Sequence, residues 1–289
     1  MKFIITTFTM VFLFCSVFAQ IDSTKSRTAD SIRIGGMIIV NNGKTDDKPV
    51  KTDGYNRHNS GSNISTSEFI FDLGFANWTD QTDYAGVTSQ DYLINRPGFP
   101  SLDKNDFKLR TGKSVNVNIW LFMQRLNLIK HYVNLKYGLG VELNNYRFKS
   151  DITFKEDGVN PFNTSQAINH PFIFRDSISI NKDKLAADYV TVPMMLNFRS
   201  NSENSHKGIS LSGGVSIGYL YSSRNKQKSN ERGKHKNRGD YDLEKWKFSY
   251  IAELGLGPAH LYGSYSPNSI FENGLKMLPY NVGIRFSNW

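Results

Sequence analysis

Residues 133–144 read VNLKYGLGVELN, and this stretch decides the fold. Val133, Leu135, Tyr137, Leu139, Val141 and Leu143 fall at every second position, with Asn134, Lys136, Gly138, Gly140, Glu142 and Asn144 between them. A strict period of two is a β-strand with one apolar and one polar face. The run is long for a soluble strand, and its polar face carries charge of both signs. Strands that cross a bilayer read this way, apolar toward lipid and polar toward a lumen.

The pattern recurs on both sides. Upstream, Phe69, Phe71, Leu73 and Phe75 alternate with Glu68, Asp72 and Gly74, and Val115, Val117, Ile119, Leu121 and Met123 alternate with Ser114, Asn116 and Asn118. Downstream come Val190 to Phe198, Ile209 to Tyr221, Trp246 to Leu256, a weaker Ala259 to Tyr265, and Tyr280 to Phe286. With residues 133–143 these make eight strands. The connections alternate in length: long (79–112), short (126–131), long (149–187), short (200–207), long (223–244), very short around Pro258, and medium (266–278). Alternating tight turns and long loops are the outer-membrane arrangement. We therefore expect an all-β chain, a transmembrane antiparallel up-and-down β-barrel of about eight strands over residues 66–289. A soluble secreted β-sandwich is the alternative fold, since composition alone does not separate the two.

If the polar faces turn inward, Glu68, Asp72, Lys136, Glu142, Lys247, Glu253 and Arg285 share one narrow lumen. An eight-stranded barrel is just wide enough for side chains to fill it, so we expect a charge network that plugs it. Pro193 lies mid-strand, where it lacks a ladder donor, and predicts a bulge. Trp120 and Phe122 point inward by phase, which predicts that they fill the short-turn end or that the strand bulges before them.

The first residues, MKFIITTFTMVFLFCSVFAQ, combine Lys2, an apolar stretch from Phe3 to Phe18, and Val17-Phe18-Ala19 as a cleavage site. They predict a signal peptide over 1–19 and export through the inner membrane. Cys15, the one cysteine of the chain, would leave with it, and bulky Phe14 argues against a lipoprotein. Residues 20–65 read as a periplasmic arm with one short strand in Ile32 to Val40, followed by a polar run that lacks the apolar content to fold alone.

The net charge is +9. For an exported chain this points to outer-membrane lipid, including lipopolysaccharide phosphates, rather than to nucleic acid. The densest basic stretch holds Arg224, Lys226, Lys228, Arg232, Lys234, Lys236 and Arg238 against Glu231 alone, in the third long connection. These residues are the expected anionic-lipid contacts, set against a plain solvated loop. Trp78, Tyr219, Tyr221, Trp246 and Phe248 fall near strand ends as an interfacial girdle. The histidines (His58, His131, His170, His206, His235, His260) are scattered without metal-site spacing and read as solvated or turn residues. No residue set calls for catalysis, a metal or a cofactor.

Four segments resemble the PorT-like outer-membrane β-barrel family of Bacteroidetes: Leu135 to Phe148, Tyr189 to Phe198 with its mid-strand proline, Gly213 to Tyr219, and Leu278 to Phe286. Ile32-Arg-Ile-Gly leading to Ile38-Ile-Val40 is similar to the lead-in of such proteins. The resemblance spans roughly 66–289 and implies an outer-membrane barrel. The founding member is tied to a secretion apparatus, and the family brings no catalytic residues. Trp289 departs from the usual terminal aromatic, being out of phase with Phe286. The expected role is a structural or interaction component of the cell envelope, with secretion-complex or other envelope proteins as partners. A narrow channel for small solutes is the alternative.

Overall fold

A bilayer offers backbone N–H and C=O groups no partner, so strands that cross it must close into a ring. The computed structural model of this chain describes residues 31–34, 37–40, 63–88, 92–201, 208–257 and 259–287. It divides into two units, Met1–Asn59 and Ser60–Trp289. The expected signal segment 1–19, most of the arm, Pro258, His58, His206 and Trp289 lie outside the described residues. In the first unit Ser31–Ile34 pairs antiparallel with Met37–Val40, so two paired strands stand where one was expected.

The second unit is the barrel. Its strands are β1 (Ile64–Asp80), β2 (Val115–Ile129), β3 (Val133–Arg147), β4 (Ile180–Arg199), β5 (Ile209–Ser229), β6 (Trp246–Leu256), β7 (Ala259–Tyr265) and β8 (Met277–Phe286). Each pairs antiparallel with its neighbours in sequence, and β8 pairs with β1 to close the ring. Short turns and the start of β1 share one end, and the long connections share the other.

Burial is inverted relative to a soluble domain. Phe71, Leu73, Val192, Met194, Leu211, Ile217, Val282 and Ile284 face outward and are exposed, whereas Asp72, Glu253 and Arg285 are buried. A closed ring with a greasy outside and a charged inside excludes the soluble sandwich. The strands β4 and β5 have 20 and 21 residues. At about 3.3 Å per residue each is roughly 65 Å long, about twice what a bilayer needs, so both stand well beyond it.

Two local expectations are corrected. The bulge expected at Pro193 is absent, because the β4–β5 register runs unbroken from Val192↔Ile217 through Pro193↔Ser216 to Met194↔Val215. On its other side, Thr191↔Gly140 and Met194↔Tyr137 keep step across the two positions left unpaired. The proline thus forgoes ladder bonds without shifting the strand. An irregularity sits instead on β1 and β2, where Glu68↔Phe122 and Ile70↔Trp120 leave Phe69 and Leu121 unpaired, with Phe69 at a φ of 52°. Each strand changes phase there. Trp120 stays inside, Phe122 turns out, and Met123, expected outward, is buried.

Inward glycines make room for large neighbours. Gly283 faces Gly74 across β8 and β1, and a Cβ on Gly283 would stand 2.4 Å from Leu73 O, 2.5 Å from Gly74 Cα and 2.7 Å from Tyr262 Cε1. Gly283→Ala should therefore lower stability in detergent by about 1–3 kcal/mol. Gly213→Ala, whose added Cβ meets nothing within 4 Å, should stay within about 0.5 kcal/mol. Urea titration followed by the heat-dependent gel shift of folded barrels distinguishes the two.

Candidate functional site

At mid-barrel the inward side chains are ionic. Arg285 on β8 donates from Nε and Nη2 to Asp72 on β1 at 2.7 and 2.8 Å, and from Nη1 to Glu253 on β6 at 2.6 Å. Lys136 on β3 donates to Glu253 at 2.8 Å, and Lys247 on β6 pairs with Glu142 on β3. Asp72, Glu142 and Glu253 thus balance Lys136, Lys247 and Arg285, and all six are buried. His260 adds its Nδ1 3.1 Å from Glu253. It is a lumen residue, not the turn residue its position suggested, because β7 begins at Ala259 and carries His260 inward.

Neutral polar groups complete the layer. Trp120 Nε1 and Asn118 Nδ2 donate to Asp72 at 2.8 and 3.0 Å, and Asn144 and Asn281 donate to Glu142 at 3.0 and 3.1 Å. The Tyr262 hydroxyl donates to Asn116, whose amide donates to Asn144 at 2.9 Å. An apolar layer of Ile70, Trp120, Met123 and Met195 packs within the same lumen. Beside Arg285, Glu253 and Ser216 a void of about 30 Å³ remains, room for a water or two.

The end that carries the long connections is folded as well, and this the sequence reading missed. The three long connections and the medium one all contribute to one hydrophobic core: Phe107 from the first, Phe154 from the second, Tyr241 from the third and Phe271 from the medium one. Phe154 lies 5.4 Å from Phe148 and 6.4 Å from Phe271 between ring centroids. A small sheet joins Leu93–Ile94, Phe172–Arg175 and Ile152–Lys155 over this core, and Arg175 clamps Asp106 through two bonds of 3.1 and 2.7 Å. In this cap, burial pushes the Asp183 carboxyl up to about 8, although Asn225 donates to it at 3.0 Å.

The expected site residues divide accordingly. Asp72, Lys136, Glu142, Lys247, Glu253 and Arg285 come together in the lumen, but Glu68 is exposed on the outer wall, since the phase change at Phe69 turns it out. The basic stretch is no loop: Arg224, Lys226 and Lys228 end β5, and Lys234, Lys236 and Arg238 lie on Gly233–Arg238, which pairs with it. Arg232, in the turn between, reaches Asp176 at 2.8 Å. Tyr219, Tyr221 and Trp246 face outward, whereas Trp78 faces inward and packs at a tilt with its ring centroid 4.7 Å from that of Tyr146 in the core of the cap. Among the described residues, no group of three or more His, Cys, Asp or Glu is placed to hold a metal ion.

A family model for the outer membrane protein β-barrel domain matches residues 18–271. The chain belongs to that family. No curated protein matches the sequence. Among solved structures, one described as "Asymmetric conductivity of engineered proteins" is similar at 10% identity, covering 78% of this chain and 100% of that one, with a TM-score of 0.17. Two mutants of Rh. blastica porin are similar at 10% and 8% identity over the same shares, with TM-scores of 0.16 and 0.17. Likeness that low carries no argument about this member of the family, whose interior is described by its own contacts.

Those contacts predict a clear asymmetry. Arg285→Met leaves Asp72 and Glu253 without their shared cation and should cost about 3–5 kcal/mol, because a buried charge is left unpaired. Adding Asp72→Asn should recover part of that loss, while Glu68→Gln should stay within about 0.5 kcal/mol. Urea titration of the three refolded variants reads all of these values.

Proposed function

We propose that this outer-membrane barrel is a non-conducting structural or interaction component of the cell envelope, with its folded outer end as the working surface. The observation that carries the reading is the interior itself. Charged, hydrogen-bonded and apolar layers follow one another along the lumen, and the outer mouth lies under a packed aromatic core. Filling of this kind suits a scaffold. Solute transport would need a continuous water path, which the ion pairs of Arg285, Lys136 and Lys247 oppose.

In this reading the chain is exported with cleavage after Ala19, the short turns face the periplasm, and the cap faces out. Membership of the PorT-like branch, and through it a partner in a secretion or other envelope complex, is part of the same proposal and rests on the four resembling segments. No step in it requires catalysis.

Refolded protein in planar bilayers, with folding verified by heat-dependent gel shift, should show no steady single-channel conductance. Reproducible steps from verified barrels would replace this reading with the narrow-channel one.

A further inference from the structure

The basic run from Arg224 to Arg238 becomes an ordered surface once its register is written out. Residues paired across strands share a face, with Cβ atoms about 5 Å apart. One row across β4, β5 and Gly233–Arg238 is Lys182, Lys228, Lys234. The next, extended by β3, is Arg147, Lys184, Lys226, Lys236. The third is Ala186, Arg224, Arg238. The intervening residues turn the other way, with Asn225 bonded to Asp183 and Gln227 donating to Ile152 O at 3.0 Å beneath the cap. The cations therefore face outward together.

Like charges directly opposite one another destabilise a sheet, so such a grid calls for an anion. The carboxylate beside it is Asp188, and Arg224 already holds that at 2.6 Å. Burial, and then Lys226, Lys182 and Arg224, depress the Lys184 amine to about 8. The grid also continues a lipid-facing wall. Below it on the same strands Val190, Val192, Ile217, Tyr219 and Tyr221 face outward and are exposed. The register shift between Asp188 and Tyr189 makes Tyr221 an extra residue on β5. That shift changes the strand's phase, so that Arg224, Lys226 and Lys228 carry on the outward face. Arg224 lies three residues past Tyr221, roughly 10 Å along the strand.

An apolar wall surmounted by cations is complementary to an amphiphile whose phosphates sit directly above acyl chains. A soluble polyanion would gain nothing from the wall. We propose that this face binds the phosphates of an outer-leaflet glycolipid, a lipopolysaccharide whose lipid A carries two of them. The inference rests on the cap-outward orientation given above, but it does not depend on a closed lumen. A conducting barrel that still binds lipid A would end the scaffold reading and leave this one standing.

The test is native mass spectrometry of the detergent-folded chain from Gln20 onward, titrated separately with diphosphoryl lipid A, monophosphoryl lipid A and phosphatidylglycerol. Diphosphoryl lipid A should bind best and most salt-sensitively. Lys184→Gln/Lys226→Gln/Lys236→Gln should weaken it about tenfold or more. Lys108→Gln/Lys113→Gln/Lys155→Gln, which removes as many exposed cations from the same end, should leave binding within about twofold. Should the first triple variant fail the gel-shift test of folding, Lys234→Gln/Lys236→Gln on the exposed outer strand reads the same effect without disturbing the ring. Equal loss in the grid and control variants would overturn the proposal. Phosphatidylglycerol bound as tightly as diphosphoryl lipid A would overturn the glycolipid assignment.

Discussion

The hydrogen-bonded seam between β4 and β5 joins the strand that ends the first half of the sheet to the one that begins the second, leaving no free edge in lipid. Unpaired backbone groups in hydrocarbon cost several kcal/mol each, so an open edge there would be untenable. These are also the two longest strands, and beyond the bilayer the same seam becomes the wall of the cap and two columns of the cation grid. One continuous ladder thus closes the barrel, carries the core of its cap and presents its charged face.

Closure at eight strands leaves an interior that side chains can fill, and the sequence fills it with matched charge. Arg285 is the centre of that arrangement, since it joins Asp72 and Glu253 from strands on either side. Buried ion pairs add little stability over well-packed apolar groups, yet losing one partner is costly. The network therefore specifies one arrangement more than it strengthens the fold. Its geometry also depends on small residues: Gly74 and Gly283 face each other where Tyr262 must pass, and Trp120 packs against Gly140.

The barrel was legible because lipid and lumen impose a period of two, as in Val133 to Leu143, and because tight turns alternate with long connections. Six of the seven expected lumen charges follow from that period. Glu68 was misplaced because two facing unpaired residues, Phe69 and Leu121, change the phase, and no residue type there announces it. The cap was missed for another reason. Its apolar residues, such as Phe107, Ile152, Phe154, Tyr241 and Phe271, are dispersed over four connections and meet only in three dimensions. The basic stretch did carry a readable signal. Arg224, Lys226 and Lys228, like Lys234, Lys236 and Arg238, alternate with neutral or histidine residues, the same period of two written in charge instead of hydrophobicity.

The central claim is that the lumen is filled at the level of Arg285. A single cysteine at Ser216, which is buried beside the small void there, tests it directly in chain refolded from Gln20 onward, where no other cysteine remains. The measurement is the rate of modification by a small charged thiol reagent, with the folded barrel compared with the urea-unfolded chain. The account predicts a folded-state rate at least about a hundredfold slower, because reagent reaches the thiol only through rare opening of the network. Comparable rates in the two states, in protein shown by gel shift to be folded, would mean an open, water-filled lumen and would contradict it.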